Sequence, residues 1–190
     1  NISLDVWVES PAKSRKIYAE YQNIIDGAFL TRDLTNEPSN ILTTIEFAKT
    51  ITRLTTYGLK VRSLEEKDLK KLGMNALLGV GQGSPSPSKV VIIEWMGGGS
   101  KKPLAIVGKG VVFDTGGISL KPPSGMEQMT VDMGAGVVVG LMKTLALRKA
   151  KSNIVGVVGL VEHMPAVEAQ RPGDDVRSIE VDTNEVLSNH

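Results

Sequence analysis

From Leu104 to Asp114 the chain reads L-A-I-V-G-K-G-V-V-F-D, an apolar run broken by a single lysine and stopped by an aspartate. Such a run, rich in valine and bounded by a Gly-Gly turn, reads as an apolar strand. Two further runs, 89–95 and 153–161, have the same character, and 59–64 reads as a fourth strand. Between them lie helical patterns. Thr43 and Glu46 have capping-box spacing and open a helix over 44–57 that Gly58 closes. Residues 65–72 read as a short charged helix, and 134–149 as an apolar helix ending in basic residues. Strands alternating with helices predict an α/β fold, with a mixed, mostly parallel sheet flanked by helices on both faces.

Upstream, residues 3–9 alternate like a strand, and Ser10-Pro11 resembles an N-cap followed by proline at the first helical position. Apolar residues at helical spacing, among them Ile17, Tyr21, Ile24 and Ala28, predict one helix over 12–34. Gly79, Gly81 and Gly83, followed by S-P-S-P-S, read as a loop. That G-x-G-x-G is not a dinucleotide fingerprint, because Pro85 and Pro87 stand where a helix would begin.

Composition removes several function classes. The 190 residues carry a net charge of +1 with no basic stripe, which disfavours nucleic acid and anionic membranes as partners. No apolar run reaches the roughly 18 residues of a membrane span. There are no cysteines, so thiolate nucleophiles and thiolate metal sites are excluded. No signal peptide is visible, and a cytoplasmic location is expected.

The chemistry concentrates between Lys109 and Asp132. Two lysines (Lys109, Lys121) and two aspartates (Asp114, Asp132) lie among glycines and apolar residues. Buried charges must be paired, metal-bound or neutralised. Each has a structural reading as well. Asp114 suits a turn, Asp132 a helix N-cap, Lys109 a solvated strand end and Lys121 a loop. Taken together these readings weaken, since Asp114 and Lys109 sit at the carboxyl end of an apolar strand, where open α/β sheets place ligands. Carboxylates with a neutral amine suit zinc, manganese or magnesium, and a coordinated cation can strip the proton from a lysine. Asp114 is placed to bridge two ions, because its turn is expected to expose both oxygens.

The sequence V-G-K-G-V-V-F-D-T-G-G-I-S-L-K-P, with G-M-E-Q-M-T-V-D-M-G, N-I-V-G-V-V-G-L-V-E and R-P-G-D-D-V-R after it, resembles the leucyl aminopeptidase family of two-metal exopeptidases. So do L-T-N-E-P-S-N-I-L-T-T-I-E-F-A and L-G-M-N-A-L-L-G-V-G-Q-G-S upstream. The resemblance implies a three-layer sandwich like that of zinc exopeptidases, incomplete at its C-terminal end. Residues 1–19 would be the end of an N-terminal domain with its linker, and 20–190 the first part of the catalytic domain. It implies Lys109, Asp114 and Asp132 as metal ligands, Lys121 as the group that stabilises the tetrahedral intermediate, and Met129 as a wall of the substrate pocket. The implied reaction releases N-terminal residues, leucine among them, from peptides by a water activated between two divalent ions, with bicarbonate as a further cofactor. The implied assembly is a hexamer.

The family's second signature, N-T-D-A-E-G-R, is expected near residue 182, but the chain reads D-T-N-E-V-L-S-N-H from Asp182 to His190. Asp182 and Glu185 are the candidate substitutes. Their D-x-x-E spacing puts them on opposite faces of a strand unless a turn intervenes. A truncated or degenerate member that binds metal without catalysis is therefore the alternative reading. His163, after the 153–161 strand, reads as a solvated or capping residue, and His190 as isolated. V-V-F-D-T-G-G also matches the aspartic peptidase loop, but those enzymes pair two such loops and no second D-T-G is present.

Overall fold

A computed structural model describes residues 3–130, 133–176 and 178, and the backbone of 185–186. Four strands form the main sheet: β1 (Lys60–Leu64), β2 (Lys89–Met96), β3 (Leu104–Asp114) and β4 (Asn153–His163), in the order β1-β2-β4-β3. Among the described residues five α-helices accompany them: α1 (Pro11–Asn36), α2 (Thr44–Thr52), α3 (Glu66–Lys71), α4 (Asn75–Gly81) and α5 (Gly134–Leu147). A short 3-10 turn (Arg53–Tyr57) prolongs α2, and Gly58 stops it at φ 87°. Thr43 caps α2 as its spacing implies, its hydroxyl accepting from Glu46 N at 3.3 Å. A two-stranded ladder pairs β5 (Asp175–Val176) with β6 (Glu185–Val186). Among the described residues no helix is long and apolar enough to cross a membrane.

The α/β class and the mixed sheet agree with the sequence, but the balance of directions does not. Only β3 and β4 pair in parallel, while β1–β2 and β2–β4 are antiparallel. For the opposed directions of β2 and β3 the cause is the length of their connection. Residues 97–103 are too few for the crossover of a dozen or more residues that a parallel return needs. They reverse the chain and pass across the start of β4, where buried Asn153 pins them. Its amide donates to the carbonyls of Gly99 (2.9 Å) and Lys101 (2.6 Å), and its oxygen accepts from Gly98 N (2.7 Å). The connection from β3 to β4, by contrast, contains all of α5, and that pair is parallel.

The core lies between one face of the sheet and helices α2 and α5. Phe47 and Ile51 of α2, Val138, Val139 and Met142 of α5, and Val91, Ile93, Val158 and Leu160 of the sheet form one buried cluster. Full burial of each such side chain contributes about 1.5–3 kcal/mol. α1 lies outside α5, tied to it by the Thr31 hydroxyl on the Gly136 carbonyl (3.0 Å). α4 covers the opposite face of β4, with Leu77 over Gly159. α1 runs unbroken across residues 19 and 20, where the domain boundary is expected.

Two local expectations are corrected. Residues 3–9 form no strand; Leu4, Val6 and Trp7 are exposed, and alternation alone cannot make a strand without a neighbour to pair with. The glycines expected to form a loop lie partly in α4. There Gly79 meets Gln170 and Gly81 lies against Ser88, closer than any side chain would allow. Tertiary packing has overridden the low helix propensity of glycine.

Candidate metal centre

The site forms at the carboxyl ends of β3 and β4, the one parallel pair among the described residues. β3 and β4 run in register from Leu104–Ile154 to Val111–Val161, and the next partners are Asp114 and His163. Three steps along β3 thus match two along β4, so β3 carries a bulge between Val111 and Asp114. In an unbroken strand Lys109 and Asp114, five residues apart, would face opposite sides. The extra residue restores the parity and returns Asp114 to the face that holds Lys109 and Val111, a common use of bulges beside functional sites. The other face of β3 is closed: Gly108 lies under Ala135 and Val138 of α5, and Val112 is buried.

Beyond Asp114 the chain turns sharply through Thr115, Gly116 and Gly117. Both glycines have positive φ (88° and 67°), which favours residues without a side chain. The turn folds back so that Lys121 N donates to Thr115 O at 2.9 Å. This brings the Lys121 ammonium to 2.7 Å from Asp114 Oδ2 and 3.4 Å from Met129 Sδ. Oδ1 accepts from Gly116 N at 3.0 Å and meets His163 Nδ1 at 2.8 Å. Burial would raise the Asp114 carboxyl. The hydrogen bonds from Lys121, Gly116 and His163, with the Lys121 charge, outweigh it and hold the group below its ordinary value. Asp114 is therefore an ionised carboxylate, which can only accept, and so His163 carries its proton on Nδ1.

The structure brings Asp114, Lys121 and Met129 together and sets Lys109 on the same face of β3 as Asp114. Lys109 is exposed at the strand edge. Asp132 and Asp182 lie outside the described residues. Glu185 is placed by its backbone alone, opposite Val176. Among the described residues no three His, Cys, Asp or Glu side chains gather into a metal cluster. His163 is the residue that sequence reasoning missed. It is the last residue of β4 and its side chain is only 14% exposed, so it is not the solvated group expected. Its signal was its position: if β3 and β4 are parallel neighbours, the residues that end their apolar runs must meet.

The cytosol aminopeptidase family, catalytic domain, matches residues 29–189. This chain belongs to that family. A probable cytosol aminopeptidase of Dinoroseobacter shibae is 63% identical over 172 residues, which cover 90% of this chain and 35% of that protein. A similarly named protein of Cereibacter sphaeroides is 60% identical, covering 87% of this chain and 34% of that one. The chain thus spans about a third of the length of these curated relatives. Among solved structures, the bottromycin maturation enzyme BotP in complex with Mn superposes with a TM-score of 0.81 at 36% identity, over 91% of this chain and 38% of that one. A leucine aminopeptidase of Caenorhabditis elegans gives 0.79 at 28% identity, over 84% of this chain and 33% of that one.

Proposed function

We propose that the chain contributes part of the active site of a metal-dependent aminopeptidase that releases N-terminal residues, of the leucine type, from peptides. The observation that carries this is an ionised Asp114 held between Lys121 and His163 at the carboxyl end of the parallel strand pair, in a chain of this family. Two divalent ions, manganese or zinc with magnesium as a third candidate, would supply charge stabilisation and an activated water.

The described residues fit that role in part. Lys121 already places positive charge against Oδ2, where the carboxylate would meet a cation. Lys109 on the same face is the candidate amine ligand, while Asp132, with Asp182 or Glu185, would complete the donor set. Lys121 is the candidate catalytic residue. On the approach of substrate its ammonium turns from Asp114 to the scissile carbonyl and stabilises the oxyanion that develops there. Met129, in contact with that ammonium, would form a wall for the first side chain of the peptide. Bicarbonate as base, a cytosolic location and a hexameric assembly belong to the same reading; the names of the relatives support the location, and the other two rest on the sequence resemblance alone.

Release of leucine from a chromogenic leucine amide, with and without Mn²⁺ and then with chelator, tests the proposal on the full chain. Metal-dependent release that disappears in Asp114→Ala supports it, and release that is indifferent to metal or to Asp114 overturns it. A second reading, metal binding without turnover, rests on the D-x-x-E spacing of Asp182 and Glu185. It requires Asp114-dependent binding of Mn²⁺ with no release above the buffer rate.

A further inference from the structure

His163 holds the turn that carries Asp114 from three sides. Its carbonyl accepts from both Thr115 N (3.0 Å) and the Thr115 hydroxyl (2.8 Å). Its ring lies against Gly117, where an added Cβ would stand 2.4 Å from Nε2. Its Nδ1 reaches Asp114 Oδ1 at 2.8 Å. These contacts divide the carboxylate unequally. Each carboxylate oxygen offers two lone pairs. Both of those on Oδ1 are engaged, by Gly116 N and by His163. Oδ2 meets only Lys121 among these partners, and Lys121 is the more exposed end of that pair, at 35% against 25%. The expectation that the turn exposes both oxygens is therefore half met: Oδ1 is anchored and Oδ2 is the oxygen left to exchange partners.

We propose that His163 is the positioning residue of the centre, its Nδ1–H anchoring Asp114 Oδ1 so that the carboxylate offers Oδ2 to metal from one fixed direction. This rests on the reading of Asp114 as a metal ligand. The Nδ1 end of the imidazole is a tether and not a ligand, because its proton is committed to Oδ1, while the Nε2 end lies against Gly117. The donor is the functional part of the side chain. Asparagine, whose Nδ2 can occupy the place of Nδ1, should replace it, whereas leucine, of almost the same shape as asparagine but without a donor, should not.

The test is calorimetric titration of the full chain with Zn²⁺, with folding of each variant checked by circular dichroism. His163→Leu and His163→Ala should weaken Zn²⁺ binding about 10–100-fold, the usual cost of losing such an outer partner. His163→Asn should stay within about threefold of wild type, and Asp114→Ala should lose the most. Binding unchanged in His163→Leu but lost in Asp114→Ala overturns the positioning role alone, as does a His163→Asn as weak as His163→Leu. Binding that survives Asp114→Ala, or a wild type that binds no Zn²⁺, overturns the metal reading and this inference with it. A measurement on the unmutated chain decides even if the apolar variants fail to fold. The ¹⁵N spectrum of labelled histidine in the Zn²⁺-loaded protein should show His163 protonated at Nδ1, and a bare or zinc-ligated Nδ1 overturns the proposal.

Discussion

Among the lysine–carboxylate pairs at the ends of strands in this sheet, two differ in everything but their chemistry. Lys89, at the start of β2, pairs with Glu65; its side chain is only 10% exposed and that of Glu65 is 48% exposed. Lys121 pairs with Asp114, and there the carboxylate is the more buried partner. Glu65 is also occupied with architecture, since it caps α3 in a reciprocal box with Asp68 and accepts from the Ser63 hydroxyl. Asp114 belongs to no helix cap. It sits on a bulge, before two glycines of positive φ, with a histidine on its second oxygen. An ion pair alone therefore carries no functional signal. The cost of the backbone around it does: strained or irregular geometry is retained where a group must be aimed.

The comparison can be broken most forcefully at the carboxylates. Asp114→Ala should abolish metal-dependent leucine release, while Glu65→Ala should leave turnover intact and lower only the melting temperature. Equal losses of activity would erase the distinction between the pairs. At the lysines, Lys121→Ala should lower kcat about 10²–10³-fold with little change in KM, as expected for a donor that acts on a developing oxyanion. Lys89→Met should leave both constants unchanged, and its stability should shift by no more than about 1 kcal/mol, because a half-exposed Glu65 can be rehydrated. Steady-state kinetics and denaturant melts of the two variants side by side decide this.

The turn offers a smaller effect. Gly117→Ala sets a methyl against the His163 ring at a φ of 67° and should cost about 1–3 kcal/mol in a urea melt. Smallest is the acid response of the metal-free protein. The Asp114 carboxyl is held below its ordinary value near ~3.9, so its contribution is complete above that pH and is lost as pH falls through the lowered value. The melting-temperature gap between wild type and Asp114→Asn should therefore close on acidification. A gap that stays constant down to about pH 2 would show that the Lys121 and His163 contacts do not stabilise the ionised form.

Most of the fold was legible because it follows from local rules. The apolar runs became β2, β3 and β4, and the Thr43–Glu46 spacing became a cap. What failed depended on neighbours distant in sequence. The glycines of α4 lie where Gln170 and Ser88 leave no room for a side chain, and the 3–9 alternation has no partner strand among the described residues. The two lysines and Asp114 stood out as charges in an apolar setting. His163 did not, because its meaning lies in a register between strands separated by a helix. The bulge was invisible for the same reason: β3 alone shows no extra residue until it is measured against β4.

That extra residue makes chain length, as much as residue identity, part of the specification here. Between Val111 and Asp114 the backbone has one residue more than its neighbour. Loss of a single codon for Val112 or Phe113 would leave every charged residue of the centre in the gene. It would nonetheless rotate the aspartate towards α5, into apolar surroundings. Over evolutionary time this segment can exchange one apolar side chain for another, but it cannot shed one, and an alignment gap there would mark a lost site more surely than many substitutions.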